Sequence, residues 1–293
     1  MRIGCGSAIL VALLAAPAAA ATLTVEGAVS PAWVERAGAP ERVPLEVGMT
    51  LQNRDRIVTG AGSRALLKLA DGSAVKLGEN AVLNLDGLDE RSGGRLRRIV
   101  TASLDVARGA FRFTTDIFAR RRGERDVKIR VATVTTGIRG TDIWGKSDDR
   151  RDLVCLIEGK VEVSHGADAP VTLDQPLDFY VAPKDGTPPT KAKVDKRQLE
   201  EWSAETELGT VGGGARRGGR LSVNVSTAGD QQAALRDYDV LRRAGYPAVI
   251  RTVKTQAGME YRVRIVNLPG ETDARAVAER VKALGLPGAA IGR

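Results

Sequence analysis

The chain has 293 residues, a formal net charge of +8 and two cysteines, Cys5 and Cys155. This length allows two domains, each with its own hydrophobic core. Removal of an N-terminal leader that contains Cys5 would leave Cys155 alone, which excludes a domain held together by internal disulfides.

Residues 1–21 have the composition of a secretory signal peptide. Arg2 supplies the positive start, residues 9–14 form a short apolar run, and alanines at positions 18–21 offer small-residue cleavage sites. The run is too short for a membrane span, and no other segment reaches the length that a span needs. We therefore expect an exported, periplasmic protein without a transmembrane anchor after cleavage. Export makes an anionic envelope polymer, and not nucleic acid, the expected counterpart of the positive charge.

Residues 22–182 contain short segments of alternating apolar and polar positions, separated by glycine and Asp-Gly turns. Two hairpins are predicted, one turning at Asp71-Gly72 and one at Glu158-Gly159. Their strands are residues 63–70 with 73–77 and residues 153–157 with 160–164, and further strands are predicted at 127–135, 141–146, 171–173 and 179–181. Many short strands at regular spacing indicate a mainly β domain with a β-sandwich, roll or solenoid-like architecture.

Residues 183–219 are predicted to link two domains. Residues 183–189 are rich in proline, glycine and lysine, and residues 210–219 are rich in glycine and arginine. The second stretch is therefore expected to be a flexible spacer. Between the two, residues 195–208 suit a short helix with Leu199 and Trp202 on one stripe.

Residues 220–293 predict a small α+β domain in the order βαββαβ, as in ferredoxin-like and RNP-like folds. Its strands are predicted at residues 221–226, 248–255, 259–268 and 289–291, and its helices at 230–244 and 271–284. In the third strand, Tyr261, Val263 and Ile265 alternate with Glu260, Arg262 and Arg264. Two helices cover one face of a small sheet, so the face with the arginines is predicted to be an open, cationic binding surface.

The element order, Val223-Asn224-Val225 in the first strand and Tyr261-Arg262-Val263 in the third make residues 220–293 resemble the SPOR (sporulation-related repeat) family. SPOR domains bind peptidoglycan glycan strands, notably strands stripped of stem peptides at division sites, so the resemblance implies cell-wall binding. It also implies binding roles for Asn224, for Thr227 shortly after it, and for Arg262. Glu260 stands where many family members have an aromatic residue.

The chemistry of these side chains suits a glycan ligand. The amide of Asn224 can donate to and accept from sugar hydroxyls and N-acetyl groups. Arg262 and Arg264 offer forked donors to a lactyl carboxylate or an acetamido oxygen. The alternative is that both arginines only solvate an exposed strand. The predicted peptidoglycan-binding set is Asn224, Thr227, Arg262, Arg264 and Glu260.

Several spaced motifs occur in one order: DRIVTG at 55–60, SRALLKL at 63–69, DGS at 71–73, VKLG at 75–78, GIRGT at 137–141 and LIEGKV at 156–161. With these motifs, residues 27–163 resemble the FecR-type periplasmic domain family, which is all-β. Gly137 and Gly140 are expected to form a tight structural corner, and a functional loop with Arg139 exposed is the alternative. Some family members regulate iron uptake through a cytoplasmic anti-sigma segment and a membrane span. We expect neither here, and so a periplasmic scaffold that binds a protein or another ligand.

Nothing in the sequence marks a catalytic, cofactor or metal site, and we expect none. His165 is the single histidine, so it supports neither a metal cluster nor a triad with Cys155. RNA-binding βαββαβ domains expose aromatic residues on their central strands. The positions predicted to be exposed here, which include Ser222, carry no aromatic residue, and this argues against nucleic acid as a partner.

The sequence as a whole predicts a non-catalytic periplasmic protein. Its C-terminal domain would bind peptidoglycan glycan strands, and its β domain would engage an envelope protein or another ligand. The alternative is a periplasmic signalling or scaffold protein whose domains bind other envelope proteins and not glycan. An envelope hydrolase, which would need two placed carboxylates, is the third class.

Overall fold

The structure is a computed structural model that describes residues 23–92, 98–115, 123–138 and 140–292. The predicted leader at residues 1–21, and Arg139, lie outside these described residues. No helix in the described ranges is long and apolar enough to cross a membrane.

Strands dominate the first three quarters of the chain. In chain order they are β1 (Leu23–Val29), β2 (Ala32–Glu35), β3 (Val43–Pro44), β4 (Thr50–Leu51), β5 (Arg56–Thr59), β6 (Arg64–Leu69), β7 (Ala74–Leu77), β8 (Val82–Ser92), β9 (Arg98–Thr114), β10 (Gly123–Val131), β11 (Val134–Ile138), β12 (Asp142–Ser147), β13 (Arg151–Glu158), β14 (Val161–His165), β15 (Val171–Leu173), β16 (Asp178–Pro183), β17 (Thr190–Lys193) and β18 (Gly214–Arg216).

These strands form two sheets that share β9. Sheet I has the spatial order β17, β16, β13, β12, β9, β7, β6, β1, with β4 and β18 also paired to β1. Sheet II has the order β3, β2, β5, β8, β9, β10, β11, β14, β15. Gly109 lies where β9 passes between the sheets, with φ of 86° and no room for a side chain, because a Cβ would lie 2.5 Å from Ala81.

The two sheets pack their apolar faces against each other. Alternate residues are buried in strands such as β2, β7, β11 and β16. Both sheets contribute to one continuous core that includes Leu67, Phe111 and Phe113 from sheet I and Leu83 and Ile129 from sheet II. The β domain is therefore a sandwich, which was one of the three architectures that the sequence left open.

The first predicted hairpin is confirmed. β6 and β7 pair with Leu67 opposite Val75, and Gly72 in the connecting turn has φ of 89°. The single strand predicted at residues 127–135 is wrong, because β10 and β11 are two antiparallel strands that turn at Ala132.

The second predicted hairpin, at Glu158-Gly159, is wrong. β13 pairs with β12 and β16 in sheet I, whereas β14 pairs with β11 and β15 in sheet II. The chain thus crosses from one sheet to the other at Gly159, where φ is 95°. A Cβ on Gly159 would lie 2.7 Å from Thr141 Cγ2, beside the point where β11 leads into β12 and the chain crosses between the sheets a first time.

The expected corner at residues 137–141 is only half correct. Gly140 has φ of 73° and lies at the crossing from sheet II to sheet I. Gly137 lies inside β11, paired with Lys128 on one side and Glu162 on the other, so it turns no corner.

The segment predicted as a linker packs against the sandwich. Residues 184–189 form the loop between β16 and β17, and helix α1 (Lys196–Ala204) follows with Asp195 as its N-cap. The Trp202 ring stacks on the buried Trp144 ring, with centroids 4.8 Å apart and planes 9° apart. Helix α1 thereby covers the outer face of sheet I.

The flexible spacer predicted at residues 210–219 is also wrong. β18 pairs with β1 through three residues, and Arg217 forms an ion pair with Glu26 at 3.0 Å. Asp273 of the C-terminal domain accepts a hydrogen bond from the Gly214 N–H at 3.1 Å, and Arg280 donates to the Val211 carbonyl at 3.0 Å. Backbone and side-chain bonds therefore hold this segment to both parts of the protein.

The C-terminal part has the predicted order βαββαβ. Its elements are β19 (Leu221–Ala228), α2 (Gln231–Arg243), β20 (Val249–Thr255), β21 (Gly258–Leu268), α3 (Glu271–Lys282) and β22 (Ala290–Gly292). The strands form sheet III in the ferredoxin-like order β20, β21, β19, β22, and both helices pack on one face of it. The fold class predicted from the sequence, a mainly β domain followed by a small α+β domain, is confirmed.

Candidate functional site

The open face of sheet III brings the five predicted site residues together. β19 and β21 are neighbours in the centre of the sheet, with Asn224 opposite Arg264 and Thr227 opposite Arg262. Val263 and Ile265, which alternate with the arginines, are buried against the helices, as predicted. Alternation along β21 therefore leaves its arginines on the face that no helix covers.

Glu260 changes what Arg262 can offer to a ligand. The two side chains lie two residues apart on the same face of β21, and Arg262 Nη2 donates to Glu260 Oε2 at 2.9 Å. Both side chains remain partly exposed, so solvent screens the pair and it stabilises the fold little. Its consequence is local: part of the guanidinium fork is occupied, and the rest points outward.

Arg264 is anchored more firmly. It donates to the Ser222 hydroxyl, which in turn donates to the Gly292 carbonyl at 3.0 Å. Ser222 is buried, so its predicted exposure is wrong; Arg264 and the end of β22 cover it. These two hydrogen bonds hold the Arg264 side chain beside Asn224 and limit the number of conformations that it can adopt before a ligand binds.

Asn224 and Thr227 also line a groove of about 490 Å³ beside β19. Its other walls come from Asp237 on α2 and from residues 285–288, which lead from α3 to β22. Asn224 Oδ1 is buried against Gly292 and accepts no hydrogen bond from a described residue. The predicted site thus continues from the arginine face around the edge of β19.

The sequence reasoning missed Arg251. This exposed residue of β20 lies directly opposite Arg262, so it adds a third guanidinium to the open face. The signal was available in the pattern of residues 249–253, where Arg251 lies between Val249 and Val253, but a face can be assigned to it only once the hairpin register is known.

The reactive residues elsewhere do not form a second chemical centre. Burial raises the pKa of the Cys155 thiol to about 12, and the nearby charge of Asp178 adds to the effect. His165 lies at the end of β14, with Nδ1 3.3 Å from Asp168 Oδ2. Within the described ranges, histidine, cysteine and carboxylate side chains do not cluster in threes as a metal site would need.

Comparison with known proteins gives one match for each part of the chain. Residues 55–162 match the family described as FecR protein, and residues 218–292 match the SPOR domain family. A search of curated proteins found no match.

Two crystal structures of candidate anti-sigma factors from Parabacteroides distasonis are also similar. One is 14% identical, with 70% of this chain and 96% of that chain covered, and the other is 15% identical, with 77% and 91% covered. The TM-score is 0.39 for both.

The fold defines a two-domain protein: a β-sandwich joined to a ferredoxin-like domain with an open, arginine-bearing face. More particularly, the chain carries a FecR domain followed by a SPOR domain.

Proposed function

We propose that this is a non-catalytic periplasmic protein that binds peptidoglycan glycan strands through the open face of its SPOR domain. In this proposal residues 1–21 are the export signal, residues 22–182 the main part of the β domain, residues 183–219 a segment that packs on that domain and leads out of it, and residues 220–293 the wall-binding domain. The observation that carries the proposal is the cross-strand placement of Asn224 with Arg264 and of Thr227 with Arg262.

Each residue has a chemical role in this proposal. Asn224 and Thr227 exchange hydrogen bonds with sugar hydroxyls and acetamido groups at the edge of β19. Arg264, held by Ser222, presents its guanidinium to a lactyl carboxylate, and Arg262 does the same with the edge that Glu260 leaves free. Arg251 extends this row of donors onto β20.

Glu260 is the residue that limits affinity. Sugars favour a flat apolar surface with a few placed polar groups, and a carboxylate there supplies no surface and competes with the ligand for Arg262. We therefore expect Glu260→Trp to tighten binding to peptidoglycan at least fivefold, measured as the protein concentration at which half the sacculi sites are filled.

The alternative function is that of a signalling or scaffold protein that binds envelope proteins and not glycan. Glu260 in the aromatic position favours it, as does the bonding of residues 211–217 to both domains. Such bonding would let an event at one domain reposition the other.

Co-sedimentation of the purified protein with peptidoglycan sacculi tests the proposal. Sacculi are used with and without prior amidase treatment, at moderate salt. We expect pelleting that amidase treatment increases and that Asn224→Ala/Arg262→Ala abolishes. Arg236→Ala, on the exposed side of α2, is the matched control and should pellet like the wild type. Absence of pelleting with both kinds of sacculi would contradict glycan binding and favour the protein-binding alternative.

A further inference from the structure

No residue in the described ranges covers the outer face of sheet II around β11, whereas α1 covers the outer face of sheet I. Three strands form its centre, with β11 flanked by β10 and β14. Their outward side chains surround a shallow trough of about 760 Å³ with Gly137 on its floor.

Neither backbone nor packing explains a glycine at position 137. Its φ is not positive, and a Cβ built there would meet nothing within 4 Å. Glycine inside a strand weakens the strand, and it often marks a place where another backbone or a ligand approaches closely. The position is therefore adapted to something outside the sheet.

The charges around Gly137 have opposite signs on its two sides. Lys128 lies beside it on β10 and Glu162 beside it on β14. Two residues further along, at the next outward positions, the order reverses, with Asp126 on the β10 side and Lys160 on the β14 side. None of these four exposed side chains forms an ion pair with a residue in the described ranges, although other charged residues of the sandwich do.

This pattern is complementary to itself. Two copies can be placed face to face with a two-fold axis that runs parallel to β11 midway between them. This axis places the β10 side of one copy over the β14 side of the other. Lys128 then faces Glu162 of the second copy, and Asp126 faces Lys160, each contact occurring twice as a closed two-fold interface requires. Gly137 lies on the axis opposite its own copy, and its lack of a side chain lets the two faces approach closely there.

We propose that this face is the contact surface of a homodimer, with a second copy of the same chain as its occupant. With β9 and β15 included, the face is roughly 24 Å wide and 17 Å tall, so two copies bury about 800 Å² in total. That area is below the range of stable interfaces, and the dimer is weak and reversible, with a Kd on the order of 10–100 µM. The proposal does not depend on wall binding, although a dimer would present two SPOR domains to one glycan network.

Sedimentation velocity of the purified protein from 1 to 500 µM at low ionic strength tests it. Lys128→Glu gives a face with acidic residues on both sides of Gly137, and Glu162→Lys gives a face with basic residues on both sides. Each reversal should weaken self-association at least tenfold, and an equal mixture of the two variants should dimerise, because opposite charges then meet at both contacts. Added salt should weaken the wild-type dimer.

Lys193→Glu and Glu46→Lys are the matched controls, because both residues are exposed and lie outside this face. They should associate like the wild type. The proposal is overturned if the wild type stays monomeric up to 500 µM, if the mixed variants do not associate, or if the controls have the effect of the test variants. Sacculus pelleting of the same variants is a separate readout, so failure of dimerisation and failure of wall binding are distinguishable.

Discussion

Replacing Trp202 by alanine should release α1 from the outer face of sheet I. Trp202 is the largest apolar side chain that α1 packs on the sheet, stacking on Trp144 and meeting the Phe179 ring edge-on at 6.1 Å. Truncating a fully buried tryptophan costs about 3–5 kcal/mol. Trp202 is only partly buried, so we expect a loss of about 3 kcal/mol, of which about 1 kcal/mol is the ring stacking.

The loss should be local, because an isolated helix of this length is marginal in water. A change of about 3 kcal/mol raises the open population of α1 by roughly 100-fold. Hydrogen exchange of the α1 amides should accelerate by that factor, and the near-ultraviolet circular dichroism of the stacked rings should disappear. Arg197→Ala, on the exposed side of α1, is the control and should change exchange less than threefold. Unchanged protection of α1 in Trp202→Ala would refute the reasoning.

Three further predictions concern the β domain. Burial opposes ionisation of Asp178, but hydrogen bonds from Lys191 and from backbone N–H groups outweigh it and keep its pKa below the usual value. The free energy of unfolding that the ionised carboxylate contributes is present above about pH 4 and should fall as the pH drops through that lowered pKa. Asp178→Asn should therefore flatten the acid limb of a plot of the free energy of unfolding against pH. The Cys155 thiol, with its pKa raised to about 12, should resist maleimide at pH 7.5 in the native protein and react after denaturation. Gly159→Ala should lower the free energy of unfolding by about 2–4 kcal/mol, because it combines positive φ with overpacking. Gly137→Ala should leave the free energy of unfolding unchanged or raise it by up to about 1 kcal/mol, because the strand gains a Cβ in open space. Equal losses for the two variants in denaturant titrations would contradict the geometry.

The SPOR domain was predictable almost element by element. Each of its helices has a single apolar stripe, and Gly245 and Gly285 follow α2 and α3 with positive φ, as helix stop signals should. The alternation in β21 predicted which residues face the helices. These signals are local, because they depend on the period of a single element and on the residues at its ends.

The same local signals failed at the corner of the sandwich. Asp71-Gly72 and Glu158-Gly159 are both an acidic residue followed by glycine between two apolar runs, yet the first turns within one sheet and the second crosses between sheets. Both glycines have positive φ, so the backbone preference was predicted correctly in each case. What differs is the partner of the next strand, which the turn residues do not specify.

The candidate site also divides into features that local sequence patterns predicted and features that depended on strand pairing. Asn224, Thr227, Arg262 and Arg264 were predicted as site residues from the pattern of two strands and their family resemblance. Their pairing across β19 and β21, the burial of Ser222 and the addition of Arg251 needed the strand register, because a shift of one residue would move every side chain to the other face.

By itself, the sequence determined the order of the two domains, the apolar faces of the SPOR helices and strands, and the glycines that need positive φ. Only the tertiary structure decided that residues 190–193 and 214–216 join sheet I, that α1 docks through Trp202, and that Lys128 and Glu162 lie on opposite sides of Gly137. The reason is physical: a helix or turn satisfies its own hydrogen bonds among near neighbours, whereas a strand must find its partner elsewhere in the chain. Many strands here have similar apolar alternation, so the burial of the whole core, and not any one segment, selects which of them pair.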